Sequence, residues 1–393
     1  DVLVPDLTYL PVRGNLPTLL VEELLDGPTE WLDPAVRSAI DPGVALQSGS
    51  VVQVGTMARV DLSSQVARAQ AEQRDRLAAQ LAWTLRQAPG VSEVAVLSDG
   101  QPVPLPSSET GVVSADEFAF YDPADEPAGD QLYAVSDGRV VAVDDADAVA
   151  VPGPLGEDAQ ARSVAVNLTA TRAAADSVDG TSATVGGLME SGTATTSDLG
   201  ADIGVPSFDR AGRVWFVDRG QDTSRVLLLD EGSEAVEVAS GALADVRVER
   251  LQVAPDGVRA AAVYESEGAA RLLLTLVLHR PDGLLELGQV RDVVLDGVEA
   301  VDVAWASATA LALLGEDADD VQPFLVELSN GSVSSRGQVE GAVSLAASPG
   351  QPLVIGTGPI AVEGADPEPL LVRQDALQEW VPLLSASSPT YPG

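Results

Sequence analysis

The chain has 393 residues and a formal net charge of −38, because 60 acidic residues face only 22 basic residues, all of them arginine. An acidic surface without a basic patch repels phosphate groups, which excludes nucleic-acid binding and the docking of a basic face on anionic lipid. The absence of cysteine excludes disulfides, thiolate zinc sites, iron–sulfur clusters and cysteine nucleophiles.

Two helix starts are visible near the beginning of the chain. Apolar residues at helical spacing follow Asn15, a candidate N-cap, and Gly27 and Pro28 end that run. Asp33 followed by Pro34 predicts a second helix, because proline fits the first helical position after a capping residue.

A long helix is predicted over residues 63–88. Leu77, Leu81 and Leu85 lie four residues apart, which places them on one face of that helix. We expect this face to pack on a sheet formed by residues 51–54, 57–62 and 94–97, with a hairpin turn at residues 98–101. Residues 1–105 are therefore predicted to form an α/β module with its helices on one face of the sheet.

A stretch rich in proline and serine follows this module at residues 102–108 and indicates a linker. Residues 106–128 are predicted to be a linker and a lead-in strand, and residues 129–393 a separate all-β domain. The charge changes at the same place. Residues 1–110 hold 14 acidic residues and seven arginines, whereas the remainder holds 46 acidic residues and 15 arginines, a net charge of −31.

The second domain contains an internal repeat. A phrase of an apolar residue, a tight turn and an apolar strand recurs at five anchors, which are Val166, Phe208, Val253, Trp305 and Ala346. The spacing of 41 to 52 residues matches a four-stranded propeller blade. The regular tight turn after each anchor favours a propeller over an array of β-sandwiches. Residues 132–143 add a sixth strand pair, so we predict about six blades, within a range of five to seven.

A closed propeller needs a strand from the beginning of the domain to pair with one from its end, because closure removes exposed sheet edges. Val112–Val113 and residues 118–121 are the early candidates. We expect one of them to pair with residues 379–384.

No catalytic, cofactor or metal site is predicted. His279 is the only histidine, and the chain has no G-x-S-x-G nucleophile elbow to accompany it. Residues 144–147 and 316–320 are rich in carboxylates, but neither segment has the spacing of an EF-hand calcium loop. Trp215 and Trp305 lie within blade phrases, where packing in the core is favoured over a sugar-binding platform.

Several stretches of the sequence resemble the LpqB lipoprotein family of actinobacteria. Those in the first module are residues 9–18 (YLPVRGNLPT), 24–36, 58–63 and 77–91 (LAAQLAWTLRQAPGV). Residues 214–219 (VWFVDR) and 389–393 (PTYPG) carry the resemblance in the second domain. The family resemblance implies an α+β GerMN module, here without its first strand, followed by an all-β propeller.

The same resemblance implies a function. The family consists of non-enzymatic accessory proteins on the outer face of the plasma membrane. They would bind the extracytoplasmic sensor domain of the histidine kinase MtrB and modulate signalling to the response regulator MtrA. The family's lipidated cysteine and N-terminal domain are absent from this sequence. Membrane attachment is therefore expected only through an N-terminal lipid anchor that this chain does not contain.

The alternative function is that of a cell-wall carbohydrate-binding or glycan-processing propeller, and a third is that of a structural scaffold of the envelope. A pocket with paired carboxylates and aromatic side chains would favour a glycan ligand. A flat acidic face without a pocket would favour a protein partner.

Overall fold

The computed structural model describes residues 1–11, 14–123, 130–145, 147–157, 160–231, 234–317, 320–358, 368–373 and 379–393. The chain divides into two units, Asp1–Asp125 and Glu126–Gly393.

The first unit combines one sheet with helices. Its elements are α1 (Leu16–Asp26), β1 (Val52–Val54), β2 (Met57–Leu62), α2 (Gln65–Arg68), α3 (Ala71–Leu85), β3 (Glu93–Ser98), β4 (Gln101–Pro102), β5 (Val112–Val113) and a 3-10 helix (Ala115–Tyr121). The strand order is β1-β2-β3-β4, and β5 also pairs with β3. β2 and β3 run parallel, whereas the other pairs are antiparallel.

The core of this unit lies between α3 and the sheet, as the sequence predicts. Leu77, Leu81 and Leu85 are buried in one cluster with Val60 of β2 and Val96 of β3. The predicted strands are present as β1, β2 and β3. The turn at residues 98–101 joins β3 to β4, with positive φ at both of its central residues.

The first helix is confirmed and two helix predictions are corrected. Asn15 caps α1 by accepting a hydrogen bond from the Thr18 N–H. The helix predicted over residues 63–88 is instead two helices, because Ala69 and Gln70 are extended between α2 and α3. No helix starts at Asp33, where the chain makes only a turn.

The segment predicted to be a linker contributes to the first unit. Val112 and Val113 pair with β3, and Phe118 of the 3-10 helix is fully buried in the core. The proline- and serine-rich stretch forms a tight turn, in which Leu105 and Ser108 exchange backbone hydrogen bonds. Proline and serine favour turns and linkers alike, so composition alone does not separate the two.

In the part that the structure describes, the second unit is all-β apart from two short helices. Its elements are β6 (Leu132–Ser136), β7 (Arg139–Asp144), β8 (Asp147–Ala150), α4 (Pro154–Glu157), β9 (Ala161–Val166), β10 (Arg172–Ser177), β11 (Ser182–Gly187), β12 (Ala194–Asp198), β13 (Ser207–Phe208), β14 (Val214–Arg219), β15 (Ser224–Leu229), β16 (Val236–Val238), a 3-10 helix (Gly241–Leu243), β17 (Arg247–Val253), β18 (Arg259–Ser266), β19 (Ala269–His279), β20 (Leu285–Val293), β21 (Glu299–Ser307), β22 (Ala310–Asp317), β23 (Asp320–Glu327), β24 (Ser332–Ser335), β25 (Ala342–Ala346), β26 (Leu353–Thr357), β27 (Pro369–Arg373), β28 (Val381–Ser385) and β29 (Ser387–Thr390).

Within the described residues these strands form six four-stranded antiparallel sheets, which we number as blades I to VI. Blades I to V are β9–β12, β13–β16, β17–β20, β21–β24 and β25–β28, and blade VI is β29 with β6, β7 and β8. The first strand of each blade contacts the first strand of the next around the ring. All five sequence anchors lie in these inner strands. The structure therefore confirms a propeller with six blades.

The ring is closed by a strand pair that the sequence did not indicate. β29 is the inner strand of blade VI and pairs with β6, with Ser387 opposite Val135 and Thr390 opposite Tyr133. The predicted closing pairs are wrong, because β5 belongs to the first unit and β28 is the outer strand of blade V. Pro389 argues against a strand, but an inner strand pairs on one side only and tolerates the missing N–H.

Arginines connect the turns between the first two strands of neighbouring blades. Arg172 of blade I donates to the Gly212 carbonyl of blade II at 3.2 Å. Arg259 of blade III donates in the same way to the Ala308 carbonyl of blade IV at 2.7 Å. Asp256 holds Arg259 in place through a buried ion pair of 2.7 Å. These contacts satisfy turn carbonyls between the blades.

Asp302, on the inner strand of blade IV, links three blades at once. Its Oδ1 lies 3.0 Å from Arg250 Nε of blade III, and its Oδ2 accepts the Leu345 N–H of blade V at 3.0 Å. The carboxyl group is buried. Burial raises the pKa of Asp302, and the adjacent Arg250 guanidinium opposes that shift. The position thus depends on a compensating positive charge and on backbone donors.

Shortening Leu81 to alanine should destabilise the first unit. The side chain is fully buried, and such truncations cost about 2–5 kcal/mol. Denaturant-dependent hydrogen exchange, followed by mass spectrometry, measures each unit separately. We expect earlier unfolding of the first unit for Leu81→Ala and almost no change for the exposed control Glu72→Ala. An unchanged midpoint for Leu81→Ala would show that this face of α3 is not packed.

Removing the Asp302 carboxylate should destabilise the propeller. Asp302→Ala leaves Arg250 and the Leu345 N–H without their acceptor, and breaking a buried ion pair in this way costs about 3–5 kcal/mol. The matched control is Glu267→Ala, which breaks an exposed ion pair with Arg271 and should cost at most about 1 kcal/mol. Chemical denaturation measures both losses. Equal, small losses in the two variants would contradict the role given to Asp302.

Candidate binding site in the central channel

The inner strands enclose a cavity of about 300 Å³ in the channel of the propeller. Each blade contributes to its lining, and one residue from each blade in ring order is Val164, Arg219, Arg250, Asp302, Ser344 and Ser388. Five of these residues lie within inner strands, whereas Arg219 is the last residue of β14, the second strand of blade II. The cavity exists because the closed ring brings six strand segments, distant in sequence, around one axis.

Arginine–carboxylate pairs surround the cavity. Arg219 lies 2.6 Å from Asp202 and 3.6 Å from Glu249, and Glu249 also pairs with Arg247. Arg250 pairs with the buried carboxylate of Asp302. Although the second domain as a whole is strongly acidic, positive and negative charges balance locally at this end of the channel.

Three buried polar groups in the cavity wall have no hydrogen-bond partner, and they are the Nε–H groups of Arg219 and Arg250 and the hydroxyl of Ser344. Arg250 Nε nevertheless lies 3.0 Å from Asp302 Oδ1 in an ion pair, whereas Arg219 Nε and the Ser344 hydroxyl have no such neighbour. The carboxylates nearby are engaged, since both Asp302 oxygens accept backbone N–H groups. An unpaired buried donor costs free energy, so these positions are either a reserve of strain or a place for a ligand.

The backbone around Ser344 is also unusual. Ser388, in the wall of the cavity, has a φ of 48°, which residues with a side chain seldom adopt. Gly356 pairs with Ser344 across the sheet, and a Cβ at Gly356 would overlap the Ser344 hydroxyl. A glycine is therefore needed there to leave room for this hydroxyl group.

The histidine and the acidic loops lie elsewhere. His279 is exposed at the end of β19, opposite Leu285. Asp144 and Asp147 are partners across the hairpin from β7 to β8, and Asp317 and Asp320 occupy the same position between β22 and β23. Ala146 and residues 318–319, in these two turns, fall outside the described residues. Across the described parts of the chain, no group of three His, Asp or Glu side chains is arranged to hold a metal ion.

The test for a glycan site gives a mixed result. The channel contains a pocket with two carboxylates, Glu249 and Asp302, but no aromatic side chain lines it. Trp215 and Trp305 are buried in the blades, where their indole N–H groups donate to Asp209 and to the Gln252 carbonyl. Both tryptophans therefore pack inside the propeller, as their positions in the repeat predict.

The channel residues were missed from the sequence. Charged residues at strand ends are usually solvated, and nothing local marks Asp302 as buried. One signal was present. The run Arg247-Val-Glu-Arg250 leads directly into the anchor at Val253, so its charges occupy an inner strand once the repeat is aligned.

None of the helices in the described ranges is long and apolar enough to cross a membrane.

Comparison with solved structures supports the propeller. A chain in a crystal structure of a nidogen/laminin complex aligns with a TM-score of 0.50 at 11% identity, covering 66% of this chain and 97% of its own length. TolB from Acinetobacter baumannii aligns with a TM-score of 0.49 at 14% identity, covering 82% of this chain and 85% of its own. At such identities the nidogen/laminin alignment shows the fold alone.

Comparison of sequences identifies the family. The model described as the lipoprotein LpqB beta-propeller domain matches residues 138–392, and the model described as sporulation and spore germination matches residues 1–104. Lipoprotein LpqB of Thermobifida fusca is 31% identical over all of this chain and 69% of its own length. The protein of the same name from Streptomyces coelicolor is 32% identical over 99% of this chain, which spans 65% of that relative. The chain belongs to the LpqB lipoprotein family.

Proposed function

We propose that this chain is the extracytoplasmic part of an envelope lipoprotein that binds the sensor domain of the histidine kinase MtrB and thereby modulates signalling to MtrA. Membership of the LpqB family supports an envelope protein, because the relatives are named lipoproteins. The chain spans about two thirds of their length. The charge of the propeller surface is the observation that supports binding to a protein partner.

Binding rather than catalysis is supported by the state of the channel carboxylates. A glycosidase needs one carboxyl group to act as an acid and a second that is free to act as a base or nucleophile. Glu249 is paired with two arginines, and Asp302 is paired with Arg250 and with backbone donors. Both groups therefore serve as fixed counter-charges within the ring.

The propeller surface favours recognition through charge. All three phenylalanines and all three tyrosines of the second unit are buried, which leaves no exposed Phe or Tyr as an anchor at a blade loop. Its 42 acidic residues outnumber its 15 arginines almost threefold. A negative potential of this size accelerates encounters with a basic surface. We therefore expect the contact patch of the kinase domain to be rich in arginine or lysine.

Association of the 393-residue chain with the isolated sensor domain of MtrB should depend on salt. We expect the on-rate to fall by about 10-fold or more between low and high salt, because screening shortens to ~10 Å near 0.1 M. Stopped-flow or surface-based kinetics measures this rate.

The matched control is the same sensor domain with its lysines acetylated, which removes positive charge from the partner. This control should bind slowly at every salt concentration. A saturable interaction with a flat on-rate would contradict recognition through charge. No interaction at any salt concentration would contradict the kinase as the partner.

A further inference from the structure

The channel cavity combines features that its structural role does not require. A ring held together only by packing and ion pairs would not leave the Nε–H of Arg219 and the hydroxyl of Ser344 buried without partners. Both groups belong to the lining of the same cavity, on opposite sides of the ring in blades II and V. Ser344 as a whole is more than nine-tenths buried.

The unsatisfied groups define the chemistry of a ligand. Arg219 Nε can only donate a hydrogen bond, and the Ser344 hydroxyl can also donate one. The main potential acceptor, Asp302, already receives two backbone N–H groups and the Arg250 guanidinium. A molecule in the cavity would therefore have to bring acceptors. Carboxylate and phosphate oxygens match arginine donors in charge and geometry.

We propose that the central-channel cavity binds a small anion through Arg219 and Ser344, the anion carrying a carboxylate or a phosphate group. This goes beyond kinase recognition, because the site lies within the ring and involves no partner surface.

Access and size agree with this assignment. The Arg219 side chain lines the cavity and keeps 21% of its surface exposed. One terminal nitrogen of Arg219 lies 3.6 Å from Glu249, and the other is held by Asp202 at 2.6 Å. A volume of about 300 Å³ is at the small end of ligand pockets. The occupant is thus a small metabolite-sized anion rather than a protein segment.

The probes are succinate and inorganic phosphate, with glycerol as the uncharged control. Calorimetric titration of the 393-residue chain measures binding. The ¹⁵N–¹H signals of arginine side chains report whether Arg219 Nε–H is the donor. We expect one anion to bind one-to-one and to shift the Arg219 signal, and which probe binds distinguishes a carboxylate from a phosphate ligand. Failure of both probes to bind at about 10 mM, ten times a dissociation constant of 1 mM, overturns the proposal.

Arg219→Lys retains the positive charge beside Asp202 and Glu249 but lacks the Nε–H group. Because a charge-assisted hydrogen bond is lost, we expect the affinity for the anion to fall by about ten-fold or more. Ser344→Ala removes the second donor without adding volume and should also weaken binding.

The control is Arg225→Lys, an exposed arginine of blade II that pairs with Asp218 and does not line the cavity. It should bind the anion as the unsubstituted chain does. Equal affinities in Arg219→Lys, Ser344→Ala and the unsubstituted chain would place the anion elsewhere and overturn the assignment. If Arg219→Lys does not fold, Ser344→Ala and the Arg219 signal decide the question alone.

Discussion

The pairing of β29 with β6 is the constraint on which the second unit depends. It joins the last strand of the domain to its first and leaves blade VI with an inner strand like the other five. Only with this strand in place does every inner strand have a neighbour on both sides of the ring. The ring thus turns six sheets, each marginal alone, into one structure with a shared channel.

Inside that ring, neighbouring blades compensate the charge of Asp302. Asp302 combines a guanidinium from blade III with a backbone donor from blade V, and Arg250 donates onward to the Val205 carbonyl that leads into blade II. At the same end of the channel, the Arg219 Nε–H and the Ser344 hydroxyl have no hydrogen-bond partner. The acidic outer surface and the donor-rich channel are therefore chemically distinct, and we assign a protein partner to the first and a small anion to the second.

The sequence predicts what depends on local periodicity. The leucines of α3 and the anchors of the blade repeat lie where their spacing places them, because burial of one face or one strand imposes a short-range pattern. No glycine or proline marks the break between α2 and α3 at Ala69 and Gln70. Pro389 makes the closing strand β29 hard to predict, because proline is unusual within a strand. Asp302 reads as a surface charge, since the groups that compensate it come from blades III and V. What could not be predicted therefore depends on contacts between segments far apart in the chain.

Native-state hydrogen exchange of the inner strands tests the closed ring most directly. If the pairing of β29 with β6 holds the propeller together, the amides of these two strands open with about the same free energy as those of β17 and β21, in a single cooperative unit. Exchange from β29 and β6 at a much lower free energy, while β17 and β21 stay protected, would contradict the account.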